Sequence, residues 1–148
     1  MQKITTFLTF NDQAEEAATL YTSIFKDSKI TRVARLPTGH AMTVEFELAG
    51  QKYIAMNGGP HFSFATGISL AVSCADQAEI DYLWEQLTTN GGEPGQCGWL
   101  KDPFGVSWQI IPVNMGNLLR SDDPASAQRK MAAMLQMHKI EIAVLEQA

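Results

Sequence analysis

Polar and apolar side chains alternate where the chain begins: Ile4, Thr6, Leu8 and Phe10 fall on one side of an extended segment, Thr5, Phe7 and Thr9 on the other. Successive residues of a strand point to opposite faces, so this pattern predicts a strand. The alternation returns at Ile68, Leu70, Val72 and Cys74, with Ser69, Ala71 and Ser73 between them. In each copy the apolar side is expected under a helix, and the small or polar side is expected to line a cavity or groove. A helical period follows both strands, through Ala14, Ala17, Ala18, Tyr21, Ile24 and Phe25 in the first and Ile80, Leu83, Trp84 and Leu87 in the second. Each helix opens on a short acceptor side chain with a Glu three residues on, which predicts a capped N-terminus.

These matches are in register. Asp12-Gln13-Ala14-Glu15 recurs as Asp76-Gln77-Ala78-Glu79, a shift of 64 residues that also lays Ile4 on Ile68, Leu8 on Val72 and Phe10 on Cys74. A strand and a helix repeated at one spacing point to duplication. After the first helix come strand patterns around Lys29 to Arg35, Met42 to Leu48 and Gln51 to Asn57, with a tight turn at Ala49-Gly50. Asn90-Gly91-Gly92 ends the second helix, and strand-like runs follow from Glu93 to Trp99 and from Val106 to Ile111, around the turn Lys101-Asp102-Pro103-Phe104-Gly105. The expected layout is a single domain over residues 1–148: module one at 1–57, a breaker-rich linker at 58–67, module two at 68–111 and a helical extension at 112–148. Asp123-Pro124 starts the terminal helix. Met131, Met134, Leu135, Met137, Ile140, Ile142 and Leu145 make that helix apolar on more than one face, which predicts packing on its own chain or across a homodimer.

Composition narrows the function classes. A formal charge of -5 offers no basic stripe for a phosphate backbone, so no nucleic-acid partner is expected. Neither an export signal nor an apolar run of the roughly 20 residues needed to span a bilayer is present, which predicts a cytoplasmic protein with no membrane partner. Two cysteines make no disulfide framework. Cys74 reads as a small buried strand residue, whereas Cys97, between glycines, is a candidate for ligand contact. Nucleotide-binding turns, Ser-His-Asp arrangements and zinc-spaced cysteines are absent.

The segments from Phe7 to Ala17, Tyr21 to Phe25, Met56 to Pro60, Gln96 to Asp102 and Phe104 to Gln109 resemble the PhnB-like branch of the vicinal-oxygen-chelate superfamily, which includes the glyoxalase and bleomycin-resistance proteins. Members of the branch often carry the name 3-demethylubiquinone-9 3-methyltransferase domain. The resemblance is read as covering nearly the whole chain, the terminal helix included. It implies an α+β fold: two tandem βαβββ modules with curved mixed sheets around a shared cavity, plus a C-terminal helix, frequently as a homodimer. Metal-using members take ligands from the first and last strands of each module, typically His or Gln and Glu. The matching positions here are Thr5, Ser69, Asn57 and Gln109. Neutral hydroxyl and amide donors make a poor divalent transition-metal site, so no cofactor is expected, with a divalent metal, helped by His61 or Cys97, as the alternative. His40 and His138 read as surface or structural residues.

The leading expectation is a small-molecule-binding protein of glyoxalase and bleomycin-resistance type without the usual metal. Thr5, Phe7, Thr9, Asn57, Ser69 and Gln109 would supply polar and edge contacts, Cys97 a further one, and Trp99, Phe104 and Trp108 apolar walls, with core packing expected for at least one of the two tryptophans. One alternative is a lyase, isomerase or dioxygenase with Glu45 as general base, provided Glu45 is buried in the cavity. Another is a non-catalytic dimeric interaction module. Methyl transfer from S-adenosylmethionine is not expected, because it usually relies on a Rossmann-like domain with a Gly-rich turn, and the chain has neither.

Overall fold

The computed structural model describes residues 2–148. Two compact units account for them, Met1–Phe64 and Ala65–Ala148, so the division falls inside the glycine- and proline-containing stretch expected as a linker. In the first unit the order is β1 (Thr6–Phe10), α1 (Ala14–Ile24), β2 (Lys29–Arg35), β3 (Ala41–Leu48) and β4 (Gln51–Asn57). The second continues with β5 (Leu70–Cys74), α2 (Gln77–Thr88), β6 (Glu93–Pro94), β7 (Trp99–Lys101) and β8 (Ser107–Pro112). Each forms a four-stranded mixed sheet, in the orders β1-β4-β3-β2 and β5-β8-β7-β6. Only the pairs that join the first strand of a module to its last, β1 with β4 and β5 with β8, are parallel. Both units are therefore βαβββ modules in one α+β chain.

The helix-side core follows the alternation. Leu8, Phe10, Val44, Phe46, Leu48 and Ala55 are buried against Ala14, Ala17, Ala18, Tyr21 and Ile24 of α1. Small alanines let the helix lie close, and the Tyr21, Phe46 and Tyr53 rings fill the space, with Phe46 and Tyr53 stacked at 5.5 Å. Burial raises the Tyr53 phenol pKa. In the second unit Ile80, Leu83, Trp84 and Leu87 of α2 cover Cys74, Leu100, Trp108 and Ile110. Burial, with Glu79 and Asp76 nearby, pushes the Cys74 thiol up to about 12, which leaves it inert at neutral pH.

Three expectations are corrected. Ile4 and Ile68 precede the strands and are 86% and 74% exposed, so the apolar face begins only at Leu8 in the first copy and at Leu70 in the second. The run from Glu93 to Trp99 is not one strand: it is the two-residue β6, a turn, and the start of β7, because Cys97 and Gly98 take φ of 57° and 87°. Extended pairing cannot continue through left-handed backbone. The extension is three helices rather than one, α3 (Met115–Leu119), α4 (Pro124–Leu135) and α5 (Ile142–Gln147). Folding back lets Leu118, Met137, Ile140 and Leu145 share a core of their own, while Met131, Leu135 and Val144 stay exposed. As expected, Pro124 stands in the first turn of α4, and Asp123 caps it by accepting from the Ala125 N–H. Among the described residues no helix is long and apolar enough to cross a membrane.

Candidate functional site

Each sheet has a face not covered by its module's helix. In the second unit the strand register puts Ala71, Ser73, Gln109, Ile111, Trp99 and Ser107 on that face, since they alternate with the half-buried Val72 and the buried Ile110, Trp108 and Leu100. Trp99 and Gln109 are directly opposite partners on β7 and β8. The Gln109 Nε2 donates to the Ser69 Oγ at 2.9 Å, which fixes the amide and leaves its carbonyl oxygen to accept from another group. Trp99 is 37% exposed, unusual for so large a ring, and lines a pocket of about 210 Å³ with Thr66, Glu93, Gly95, Lys101 and Ser107.

The open face of the first unit has a different character. Phe7 and Thr9 of β1 lie beside Ile54 and Met56 of β4, and next to these Thr43 and Glu45 of β3. Phe7 is more than half exposed, and Thr9 packs against Gly58, where a Cβ would come within 2.7 Å of its methyl. Thr5 is half-buried ahead of the strand. Glu45 points to this face but is not enclosed: its side chain is 42% exposed and lies 3.8 Å from the Arg32 guanidinium, with Glu47 and Lys29 a second such pair at 4.0 Å. These rungs are a solvated strand face.

Four expected contact residues face elsewhere. Asn57 is spent on the fold: its Oδ1 accepts from the Ala14 N–H at 2.8 Å and its Nδ2 donates to the Ala41 carbonyl at 2.9 Å, so it joins the start of α1 to the start of β3. Trp108 is 2% exposed on the helix side of its sheet. Its indole N–H donates to the Asp102 Oδ2 at 2.9 Å, while the Asp102 Oδ1 accepts from the Phe104 and Val106 N–H groups. Core packing, expected for at least one tryptophan, is thus the role of Trp108. Phe104 is half-buried in the same turn. Cys97 is turned toward the extension, its Sγ 3.4 Å from the Met134 carbonyl. His40 and His61 are exposed, and the His138 Nδ1 lies 2.7 Å from the Gly95 carbonyl.

Sequence reasoning missed Asp102, a 2% exposed carboxylate at the centre of the β7–β8 turn. An Asp at the first position of a turn holding Pro and Gly is the signal that could have found it. It also missed Lys101, Glu93 and Thr66 around the pocket, which no local pattern distinguishes from other surface residues. Among the described residues, no three His, Cys, Asp or Glu side chains gather in a way that could hold a metal ion.

Comparison with known proteins gives three results. The sequence profile of the 3-demethylubiquinone-9 3-methyltransferase family matches residues 2–111, so the match stops short of the extension rather than taking it in. Among solved structures, the chain is 34% identical to a putative 3-demethylubiquinone-9 3-methyltransferase, PhnB protein, from Bacillus cereus, covering 74% of this chain and 99% of that one with a TM-score of 0.70. It shares its fold with the fosfomycin resistance protein FosX from Listeria monocytogenes complexed with Mn(II) and sulfate, at 19% identity, 74% and 92% coverage and a TM-score of 0.55. A glyoxalase/bleomycin resistance protein from Albidiferax ferrireducens T118 is 14% identical, with 74% and 97% coverage and a TM-score of 0.51. No protein of curated function matches the sequence.

Proposed function

The chain belongs to the 3-demethylubiquinone-9 3-methyltransferase family, the PhnB-like branch of the vicinal-oxygen-chelate superfamily, and from that membership we propose that it binds a small planar molecule without help from a divalent metal. The observation that carries this reading is the pairing of Trp99 with Gln109 on an uncovered sheet face, beside a pocket of about 210 Å³. An exposed indole offers a stacking surface, the fixed Gln109 amide a directional hydrogen bond, and Lys101 at the rim a charge for an anionic substituent. Ligand pockets for drug-sized molecules run to about 300–1,000 Å³, so the volume favours a ligand of one or two fused rings.

The donor set does not fit the metal that the superfamily implies. Ser69 and Gln109 are hydrogen-bonded to each other and Asn57 is committed at both ends, so three of the four first- and last-strand positions carry neutral hydroxyl or amide groups, which are poor donors for a divalent transition metal. A methyl donor finds no support either, since neither mixed sheet is the doubly wound parallel sheet on which S-adenosylmethionine is usually held. Glu45 lacks the enclosure that a general base on this face would need, which leaves binding ahead of turnover.

Ligand-observed NMR with a panel of planar aromatic carboxylates tests the proposal. Binding that is lost in Trp99→Ala and weakened in Gln109→Leu, with Glu45→Gln unchanged, is the expected result. A calorimetric titration with Mn(II) or Zn(II) that shows one tight stoichiometric site would overturn it.

A further inference from the structure

The second open face is built on a turn held from two sides: within its own module the Gly95 N–H donates to the Trp99 carbonyl at 2.8 Å and the Trp99 N–H to the Gln96 carbonyl at 3.0 Å, and the extension holds it from outside. Residues 95–98 join β6 to β7 and lead directly into Trp99, and Cys97 within them holds φ at 57° without being glycine. A non-glycine residue is disfavoured in that region, so the contacts around it must hold it there. Those to the Cys97 N–H, the Cys97 thiol and the Gly98 N–H come from the extension. The Cys97 N–H donates to the Met137 carbonyl and the Gly98 N–H to the His138 carbonyl, both at 2.8 Å. The Cys97 Sγ lies 3.4 Å from the Met134 carbonyl.

His138 closes the same turn from its other end. A carbonyl oxygen can only accept, so at 2.7 Å from the Gly95 oxygen the His138 Nδ1 carries the proton and donates. The Gln96 amide nitrogen, 3.4 Å from that ring nitrogen, is a second donor and packs there without bonding. A Cβ at Gly98 would come within 3.1 Å of Ile140, so the turn and the extension are in close contact as well as hydrogen-bonded. The extension is itself anchored to α2: Gln77 donates to the Ile140 carbonyl at 2.9 Å and accepts from the Ile142 N–H at 2.8 Å, and Lys139 pairs with Asp81 at 2.8 Å.

These contacts run from residues outside the matched family segment, which ends at 111, to the turn that presents the ligand-facing indole. We infer that the 134–140 segment is a positioning clamp: through His138 and the backbone around it, the extension sets where Trp99 stands on the open face, and so the shape of the surface a planar ligand meets. Gly95 and Trp99 also share the pocket wall, so a shift of the turn moves two of its sides together. This rests on the reading of Trp99 as a ligand wall, but both measurements below are made on the unliganded chain of residues 1–148. A failed ligand screen therefore leaves them interpretable.

The first measurement is the rate of Cys97 modification by a soluble aryl disulfide. Cys74 is buried with its thiol pushed up to about 12, so Cys97 reports alone. The second is the fluorine NMR resonance of Trp99 in protein labelled with 5-fluorotryptophan, with Trp84 and Trp108 as internal controls. Exposed His138 can be changed without opening the core, and the expected result for His138→Ala is about tenfold faster Cys97 modification together with a shifted or broadened Trp99 signal and unmoved Trp84 and Trp108 signals. His138→Asn, whose amide nitrogen can reach the Gly95 oxygen, should restore both. Gln77→Met, which releases the anchor from a distance, should reproduce the His138→Ala effects. Unchanged modification rates in both variants would overturn the clamp, and so would faster modification with the Trp99 resonance unmoved.

Discussion

The same tetrapeptide opens both helices, yet its side chains take different partners. In the second module Asp76 accepts from the Glu79 N–H at 2.9 Å and Glu79 reaches back to the Ala75 N–H at 2.7 Å, a closed reciprocal cap. In the first, Glu15 is drawn away by Arg35, whose guanidinium nitrogens lie 2.6 and 3.1 Å from its two oxygens, and no side chain at the N-cap closes α1. The first N–H of that helix is met from across the sheet by Asn57. Gln77 ties down the extension, while Gln13 is exposed; Ala14 is buried under the sheet, while Ala78 is exposed. One module closes its helix with local residues and the other with a residue 43 positions away, so duplication preserved the elements and not their fastenings.

That contrast can be broken first at Asn57. Asn57→Ala leaves a helix N–H and a strand carbonyl without their partner, and should cost about 2–4 kcal/mol in urea unfolding. A loss no larger than that of Asp76→Ala would erase the distinction. Gln77→Ala should cost about 1–3 kcal/mol and speed proteolysis after Leu135, whereas Gln13→Ala should change neither. Asp76→Ala should cost about 1 kcal/mol, against a change within about 0.5 kcal/mol for Asp12→Ala, because only the former is a cap.

The smallest effect is electrostatic. The hydrogen bond and charge of Arg35 lower the Glu15 pKa, and Lys139 and Gln77 lower that of Asp81. A carboxyl whose folded pKa is depressed contributes stability above its unfolded pKa and loses it as the pH falls through the folded value. Glu15→Gln and Asp81→Asn should therefore each flatten the acid side of the stability profile slightly. Both pairs are substantially exposed, so the difference should shrink in high salt. An equal slope in wild type and variants at low salt would show that the pairs contribute nothing.

Legibility in the sequence followed the range of the forces involved. The strands at Lys29–Arg35 and Gln51–Asn57 and the start of α4 at Asp123-Pro124 were readable because alternation and capping act over a few residues. Ser69 was readable on an open face for the same reason, whereas Gln109 was placed by the family resemblance and Trp99 was expected only as an apolar wall. The two tryptophans, however, differ only in strand parity, and the exposed start at Ile4 shows that parity is no guide beyond a strand's end. The break at Cys97 carried no warning, since a left-handed cysteine is tolerated only where distant groups hold it.

The sequence by itself determined a strand and a helix repeated at one spacing and the apolar faces of both helices, which are properties of residue type and period, while the full βαβββ count and the positions of the neutral first- and last-strand donors came from the family resemblance. Only the tertiary structure decided that Asn57 would serve α1 instead of a ligand, that Trp108 would bond Asp102 in the core, and that the extension would fold back as three helices onto the turn before Trp99. The first and last of those outcomes depend on which hydrogen-bonding group reaches a particular buried or strained backbone atom, and residues 40 or more positions apart in the chain settle that only when packed, whereas the Trp108 bond spans six positions and depends on how the turn between them folds.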